Sequence, residues 1–90
     1  MVMYNVVLSK AAVKHTRLLT GDKLDGKAKS LLEVLKNDPF QNPPPYEQLV
    51  GEFKGLYSRR INYQHRLVYS VDKETNTVYV MSMWTHYETI

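Results

Sequence analysis

The stretch SRRINYQHRLVYSV, residues 58–71, carries a predicted strand and a candidate binding site together. Its second part, from Leu67 to Val71, is rich in β-branched and aromatic residues, which is typical of a buried strand. Its first part places three arginines and a histidine close in sequence, with Tyr57 and Tyr63 interleaved. Guanidinium groups on a rigid sheet form forks for phosphate oxygens, and tyrosine rings offer faces for unstacked bases. The stretch therefore indicates a site for RNA or another phosphate diester.

Further strands are predicted on either side of this stretch. β-Branched and aromatic runs recur there, and the polar residues 73–76 have the character of a hairpin turn. The second half of the chain is therefore expected to form an antiparallel meander. Its predicted strands are residues 56–61, 65–72 and 77–83, and residues 49–53 are a candidate for a short additional one.

The first half of the chain predicts one strand and two helices. Residues 3–8 (MYNVVL) form a strand-like run, and Ser9 follows in the place of a helix N-cap. Two apolar stripes at helical spacing come next. The first is Ala12, His15, Leu18 and Leu19, closed by Gly21; the second is Leu24, Ala28, Leu31, Leu32 and Leu35, capped by Asp22 or Asp25 and stopped by Asn37, Asp38 and Pro39.

The order of these elements predicts the fold class. The prolines of residues 43–45 form a stiff, extended connector that delivers Tyr46 and Glu47 to the second half. A strand, two helices and a meander predict a single α+β domain over residues 1–90. In it, the N-terminal strand and the two helices pack on a small, antiparallel-rich sheet. The helices cover one face, and the other face is left for a ligand.

Composition narrows the function classes. The chain has 90 residues, of which 43% are hydrophobic and 23% charged, which suits one globular domain rather than a disordered one. Its net charge of +3 is compatible with nucleic acid but is also common in small domains. Without cysteine there is no disulfide, thiolate nucleophile or zinc–cysteine site. No apolar run approaches membrane-spanning length, so a cytoplasmic protein is expected.

Cleavage of RNA without a metal needs a base, a cation for the charge on phosphate, and an acid for the leaving oxygen. Glu47 follows the stiff proline run, which fixes how the chain reaches the sheet at this residue, and Glu47 is therefore a candidate base. Composition alone favours an ordinary surface glutamate. His86, beside Tyr87, is a candidate acid, against the alternative of a packing residue at a strand end. Both interpretations stay open on these grounds.

Three arginines are candidates for the cation. Arg59 and Arg60 are adjacent on a predicted strand and therefore point to opposite faces, whereas Arg60 and Arg66 are candidates for one shared face. A solvated or salt-bridged surface group is the simplest interpretation of any one of them. Three around one turn favour an anion site.

The remaining titratable patterns indicate structure rather than chemistry. His65 alternates with apolar strand residues, and His15 lies on an apolar helix face, so both are expected to be structural. The histidines lack metal-ligand spacing and an acidic cluster, so no metal site is predicted. The glycines form no phosphate-binding loop, and Ser58 lacks the context of a nucleophile elbow.

The second half of the chain resembles a known family. The run SRRINYQHRLVYSV, with Glu47 and Leu49 and the Gly55-Leu56-Tyr57 tripeptide before it and His86-Tyr87 after it, is similar to the YoeB (Txe) toxins of the RelE/ParE superfamily. The resemblance covers residues 46–87 and keeps its spacing without gaps as far as Asp72. In the first half, only the order of elements and Pro39-Phe40 agree.

The resemblance implies a RelE-like fold and a ribosome-dependent endoribonuclease that cuts mRNA in the ribosomal A site. It implies no cofactor, because a ribose 2′-OH is the nucleophile, and an antitoxin of the YefM (Axe) kind as partner; a homodimer is also considered. The matching catalytic positions are Glu47 as base, Arg66 as transition-state cation and His86 as acid. The matching substrate-binding positions are Arg60 and Tyr87, and Arg59 is included with them.

Two departures from the family pattern remove positive charges. Val50 stands where the family commonly has a lysine, and Trp84 where it often has an arginine. These losses bear on ribosome affinity and do not touch the proposed triad. Two rivals stay open: a ParE-like toxin that acts by binding, and a catalytically decayed module that binds RNA or the antitoxin.

Overall fold

A computed structural model of the chain describes residues 3–84, so His86 and Tyr87 lie outside the described residues. The described part contains five strands, two α-helices and one 3₁₀ turn. Their order is β1 (Asn5–Leu8), α1 (Lys10–Gly21), α2 (Asp25–Asn37), β2 (Glu47–Gln48), the 3₁₀ turn (Gly51–Phe53), β3 (Tyr57–Arg60), β4 (Arg66–Asp72) and β5 (Thr77–Ser82).

The five strands form one mixed sheet in the order β1-β5-β4-β3-β2. Strand β1 runs parallel to β5, because the two helices carry the chain back across the sheet before the meander begins. All other neighbours are antiparallel. This arrangement confirms the predicted α+β class, with an N-terminal strand, two helices and an antiparallel-rich sheet.

The core lies between the helices and one face of the sheet. Side chains alternate along a strand, so Leu67 and Tyr69 of β4 point into this core while Val68 lies on the opposite face. The helices close the core with their apolar stripes. Its buried members are Ala12, Leu19, Ala28, Leu31, Leu35, Ile61, Leu67, Tyr69, Val78, Val80 and Met83.

The first helix begins as its sequence predicts. The Ser9 hydroxyl accepts a hydrogen bond from the Ala12 amide and donates one to the carbonyl of Met81. The Ser9 amide also donates to the carbonyl of Val80. One residue therefore caps α1 and ties its start to β5, which fixes the helix against the sheet.

Two sequence predictions in the helical half are corrected. Neither Asp22 nor Asp25 caps α2: the N-cap is Leu24, without a side-chain bond, and Asp25 is the first helical residue. Gly21 still belongs to α1, and Lys23 takes the left-handed backbone conformation in the turn, with φ of 60°. The turn is tight because the Leu24 amide donates back to the carbonyl of Leu19.

The segment 49–53 is not a strand, contrary to the prediction. Strand pairing ends at Gln48, and Gly51 has a φ of 67°, which breaks an extended backbone and starts the 3₁₀ turn. Gly55, with φ of 96°, then redirects the chain into β3. The proline run before β2 is a series of bends rather than an extended connector.

Candidate functional site

The outer face of the sheet carries three of the charged residues that the sequence singled out. Glu47 of β2 pairs with Ser58 of β3, and Arg60 of β3 pairs with Arg66 of β4. Ser58 and Arg60 are two residues apart on one strand, so they share a face. Cross-strand partners also share a face. The register therefore brings Glu47, Arg60 and Arg66 together on the face opposite the helices.

These residues surround an open cavity of about 190 Å³. Arg60 is exposed at its rim, whereas Arg66 is half-buried. In the described residues, neither guanidinium hydrogen-bonds or pairs with a protein group, so both are available to an anion. The full lining is Pro45, Tyr46, Glu47, Ser58, Arg60 and Arg66.

Ser58 is a site residue that the sequence analysis dismissed. Its side chain is 1% exposed, and its hydroxyl has no hydrogen-bond partner within the described part of the chain. A buried hydroxyl without a partner is costly, and Ser58 lines the cavity. The sequence did contain a clue to its position, because Ser58 lies two residues before Arg60 and residues two apart on a strand share a face.

Arg59 does not line the cavity, and its prediction as a substrate-binding residue is revised. It is 1% exposed and lies on the inner side of β3. Its Nη2 donates to the carbonyls of Pro39 and Gln41, each at 2.9 Å, and its Nη1 to that of Pro44. Arg59 therefore holds the segment between α2 and β2 against the sheet, and so supports the approach to Glu47.

Aromatic rings complete this support. Tyr46 lies 5.0 Å from the Arg59 guanidinium carbon, measured at the ring centroid, and Tyr69 lies 5.9 Å away. The Tyr69 hydroxyl donates to the carbonyl of Pro39 at 2.8 Å. Burial raises the pKa of Tyr69 to about 12, against the opposing effect of Arg59. This phenol is therefore a structural donor and not an acid near neutral pH.

The two tyrosines near the arginines have different environments. Tyr57 is packed between Phe40 and Tyr69, with ring centroids 5.3 and 5.6 Å away. It is committed to the aromatic cluster and is a poor platform for a base. Tyr63, in the turn between β3 and β4, is 91% exposed and keeps a free ring face.

Two histidines hold the end of the described chain. The amide of Met83 donates to Nδ1 of His15 at 3.0 Å, which ties the end of β5 to α1. The ring of Trp84 stacks on the buried His65, with centroids 3.9 Å apart. The structural roles predicted for both histidines agree with these contacts. Because His65 directly precedes Arg66, the described chain ends near the start of β4.

The surroundings of His15 favour the neutral form of its ring. Burial lowers its pKa from the ordinary value, and the neighbouring His65 lowers it further. The neutral ring is also what the geometry requires, since Nδ1 accepts a hydrogen bond and cannot carry a proton there. Residues 3–84 contain no cluster of histidine, cysteine or carboxylate side chains suited to a metal ion, and none of their helices is long and apolar enough to cross a membrane.

Comparison with known proteins agrees with this geometry. Residues 16–87 match the family described as YoeB-like toxin of bacterial type II toxin-antitoxin system. Toxin YoeB of Synechocystis is 36% identical over 59 residues, which are 64% of this chain and 65% of the relative. The match thus spans slightly less than two thirds of that relative's length.

Solved structures cover nearly the whole chain. A YoeB–YefM complex from Staphylococcus aureus is 32% identical with a TM-score of 0.76, and the alignment covers 93% of this chain and 98% of the other. A YoeB dimer from the same organism is 31% identical with a TM-score of 0.78, and the alignment covers 94% and 99%. Together with the family match, these similarities show that the chain belongs to the YoeB-like toxins of bacterial type II toxin–antitoxin systems, within the RelE/ParE superfamily.

Proposed function

We propose that the protein is a ribosome-dependent endoribonuclease that cuts mRNA at the cavity between Glu47, Arg60 and Arg66. The observation that carries this proposal is their shared face: one carboxylate and two uncommitted guanidinium groups line a single cavity beside the unpartnered Ser58 hydroxyl. A phosphate diester matches these groups, because guanidinium forks bind its oxygens and a carboxylate is placed to accept a proton.

The proposed reaction is an internal transfer to the 2′ oxygen. Glu47 takes the proton of a ribose 2′-OH, and that oxygen attacks the adjacent phosphorus. The bond from phosphorus to the 5′ oxygen breaks, which leaves a 2′,3′-cyclic phosphate on one fragment and a 5′-OH on the other. No cofactor enters this step, since the nucleophile belongs to the substrate.

Arg66 and Arg60 have different proposed roles because their exposure differs. Arg66 is half-buried and has no partner among residues 3–84, so its charge is less screened by water than that of an exposed group. We assign it to the charge that develops on the phosphate oxygens in the transition state. Arg60, exposed at the rim, is assigned to holding the phosphate in the ground state.

His86 is proposed as the acid that protonates the leaving 5′ oxygen, and Tyr87 as a residue that helps to place the substrate. Both assignments follow from the family resemblance. They are supported by the end of the described chain, since Trp84 stacks on His65, the residue before Arg66. Only two positions along the sequence separate Trp84 from His86.

The ribosome is proposed as the element that orients the RNA. Glu47 is exposed and the cavity is open, so the isolated protein offers little to hold a 2′-OH in line with its phosphate. Good orientation is worth up to roughly 7–11 kcal/mol of a reaction barrier. The ribosome is a rigid frame that could supply it.

The test compares cleavage of a defined mRNA free in solution and programmed into ribosomes, with the 5′ ends of the products mapped. We expect cuts within the A-site codon on ribosomes and at least about a hundred-fold slower cleavage of free RNA. Equal cleavage rates for free and ribosome-bound mRNA would show that the reaction does not depend on the ribosome. No cleavage in either setting would leave a toxin that acts by binding, as in the ParE alternative.

A further inference from the structure

A second cavity, of about 220 Å³, adjoins the candidate site. Both cavities are lined by Pro45 and Arg60, so the two meet across these residues. Arg60 thus presents its exposed guanidinium to both. Any strand of RNA whose phosphate sits at Arg60 would have a neighbouring nucleotide within reach of the second cavity.

The second cavity combines an apolar wall with a cationic rim. Pro44 and Pro45 supply accessible apolar surface against which a base can pack, and the nearly buried Leu31 and Ile61 also line the cavity. Lys27, exposed on α2, adds a second positive charge to the lining. Among the described residues, no acidic side chain lines this cavity. Its chemistry therefore suits a nucleobase attached to a phosphate.

Asn62 gives the second cavity a directed hydrogen-bond donor. Its Oδ1 accepts from the amides of Gln64 and His65, at 2.9 and 2.7 Å, which fixes the orientation of the side-chain amide. Its Nδ2 makes no hydrogen bond to the described residues, although Asn62 lines the cavity. An amide held in this way can donate to an acceptor on the edge of a base.

We propose that this cavity binds the nucleotide next to the scissile phosphate, with Lys27 and Asn62 as subsite residues. The base packs on Pro44 and Pro45, the Asn62 amide donates to its edge, and Lys27 and Arg60 hold the connecting phosphate. The inference rests on the proposed function for the identity of its ligand. It adds a preference for the flanking base, because Asn62 meets the base edge whereas Lys27 meets only the backbone.

The first experiment measures single-turnover cleavage on programmed ribosomes for Lys27→Ala and for the matched control Lys29→Ala. Both lysines are exposed on α2, but Lys29 lines a different groove, between the helices. We expect Lys27→Ala to raise the half-saturating toxin concentration about five- to ten-fold and to leave the maximal rate within about two-fold, as loss of one phosphate contact should. Equal behaviour of the two variants would overturn the subsite.

The second experiment uses Asn62→Asp, which keeps the Oδ1 acceptor and removes the amide donor. The wild type should cut mRNAs that differ only in the base flanking the scissile bond at rates that differ several-fold, and an abasic flank should be cut most slowly. Asn62→Asp should cut all of them at similar rates. Thermal unfolding of the same samples checks that the β3–β4 turn is intact. A base preference that survives in a folded Asn62→Asp would contradict the proposal.

A binding measurement separates this inference from the proposed function. The probe is a trinucleotide with 2′-deoxyribose at the scissile position, titrated at millimolar concentration while the Asn62 side-chain amide is followed by NMR. A shift of that signal, weakened by Lys27→Ala and unaffected by Lys29→Ala, supports the subsite even if the wild type cuts no RNA. The wild type could instead cut RNA but show no such shift and no difference between the lysine variants. That result would support the nuclease activity and contradict the proposed subsite.

Discussion

At the scale of single residues, adjacent arginines on β3 serve opposite purposes. Arg59 faces the helices, where three carbonyls and two aromatic rings surround its guanidinium. Arg60 faces solvent at the rim of the cavity. The difference arises from the two-residue repeat of a strand and from nothing in the side chains themselves.

Exchange of Arg59 for methionine should therefore destabilise the fold, while the same exchange at Arg60 should not. Hydrogen bonds to a charged group contribute about 1.5–3 kcal/mol each, and Arg59→Met removes three of them, of which only the one to Pro39 leaves a carbonyl with another side-chain donor, Tyr69. We expect a loss of at least about 3 kcal/mol in the free energy of unfolding, measured with urea. Arg60→Met is the matched control and should stay within about 0.5 kcal/mol. Similar losses in both variants would contradict the placement of Arg59.

Arg66 is where a change in rate, rather than in stability, is expected. Loss of one electrostatic donor to a transition state typically costs about 2.7–4 kcal/mol, or two to three decades in rate. Arg66→Ala should therefore slow single-turnover cleavage by about 10²–10³-fold while ribosome binding changes little. Arg66→Lys should recover only part of the rate, because it keeps the charge but loses the fork. Arg17→Ala, an exposed change on α1, is the control.

His86→Gln is the companion test of the proposed acid. Glutamine keeps a hydrogen-bonding group of similar size but cannot deliver a proton near neutral pH, so the cleavage rate should fall without a change in thermal unfolding. Variants that unfold earlier in proportion to their lost activity would show that Arg66 and His86 act on the fold rather than on the reaction.

At the scale of elements, the connection between α1 and the end of β5 is the feature that organises the C-terminal side of the site. This connection consists of hydrogen bonds at two places. The Ser9 hydroxyl and amide donate to the carbonyls of Met81 and Val80, and the His15 ring accepts from the Met83 amide. The helix therefore fixes the strand over its last residues. The stacked pair of His65 and Trp84 extends the same support to the last described residue.

The His15 bond should make stability depend on pH. Burial lowers the pKa of His15 in the folded protein below its ordinary value. Its contribution to the free energy of unfolding is therefore present above the ordinary pKa of about 6.5 and is lost as the pH falls through the folded value. We expect urea midpoints to fall between pH 7 and pH 5, partly for this reason.

His15→Asn isolates that contribution. The asparagine oxygen can replace Nδ1 as the acceptor from Met83, and it does not titrate. The variant should keep most of the stability at pH 7 and lose less of it at pH 5 than the wild type, whereas His15→Leu should be less stable at pH 7. A wild type and His15→Asn with the same pH dependence would show that other groups dominate.

At the scale of the whole molecule, the two arginines of the candidate site lie on the face of the sheet that the helices do not cover. The helices cover the inner face, while Arg60 and Arg66 stand on the outer face near the exposed Tyr63. The similar protein from Staphylococcus aureus is solved as a complex with YefM. We propose an antitoxin of the same kind for this chain.

We predict that the antitoxin places an acidic segment, ordered on binding, over the candidate cavity. Charge complementarity with Arg60 and Arg66 would then dominate the association rate. The double change of both arginines to glutamine should slow association at low salt by at least about ten-fold, measured by surface plasmon resonance with the co-expressed antitoxin. The double change of Lys10 and Lys14, on exposed positions of α1, is the control. Equal effects of the two double changes would show that the antitoxin does not bind over the cavity.

Local pattern was enough to predict much of this protein. Helical periodicity, the Ser9 cap and the Pro39 stop gave the order and approximate bounds of α1 and α2, because these signals act within a few residues. β-Branched runs located β1, β3, β4 and β5 for the same reason. Strand parity also separated Arg59 from Arg60 and made a shared face for Arg60 and Arg66 plausible before any contact was known.

Tertiary packing decided the rest. The alternation of side chains along β3 does not show which of its faces the helices cover. The burial of Arg59 beneath the carbonyls of Pro39 and Pro44 could therefore not be predicted from neighbouring residues. The pairing of Glu47 with Ser58 is equally non-local, because register depends on the path of the loop before β2 and on the glycine-led turn after it. Residue types thus supplied the chemistry of the site, and long-range strand pairing placed Glu47, Ser58, Arg60 and Arg66 around one cavity.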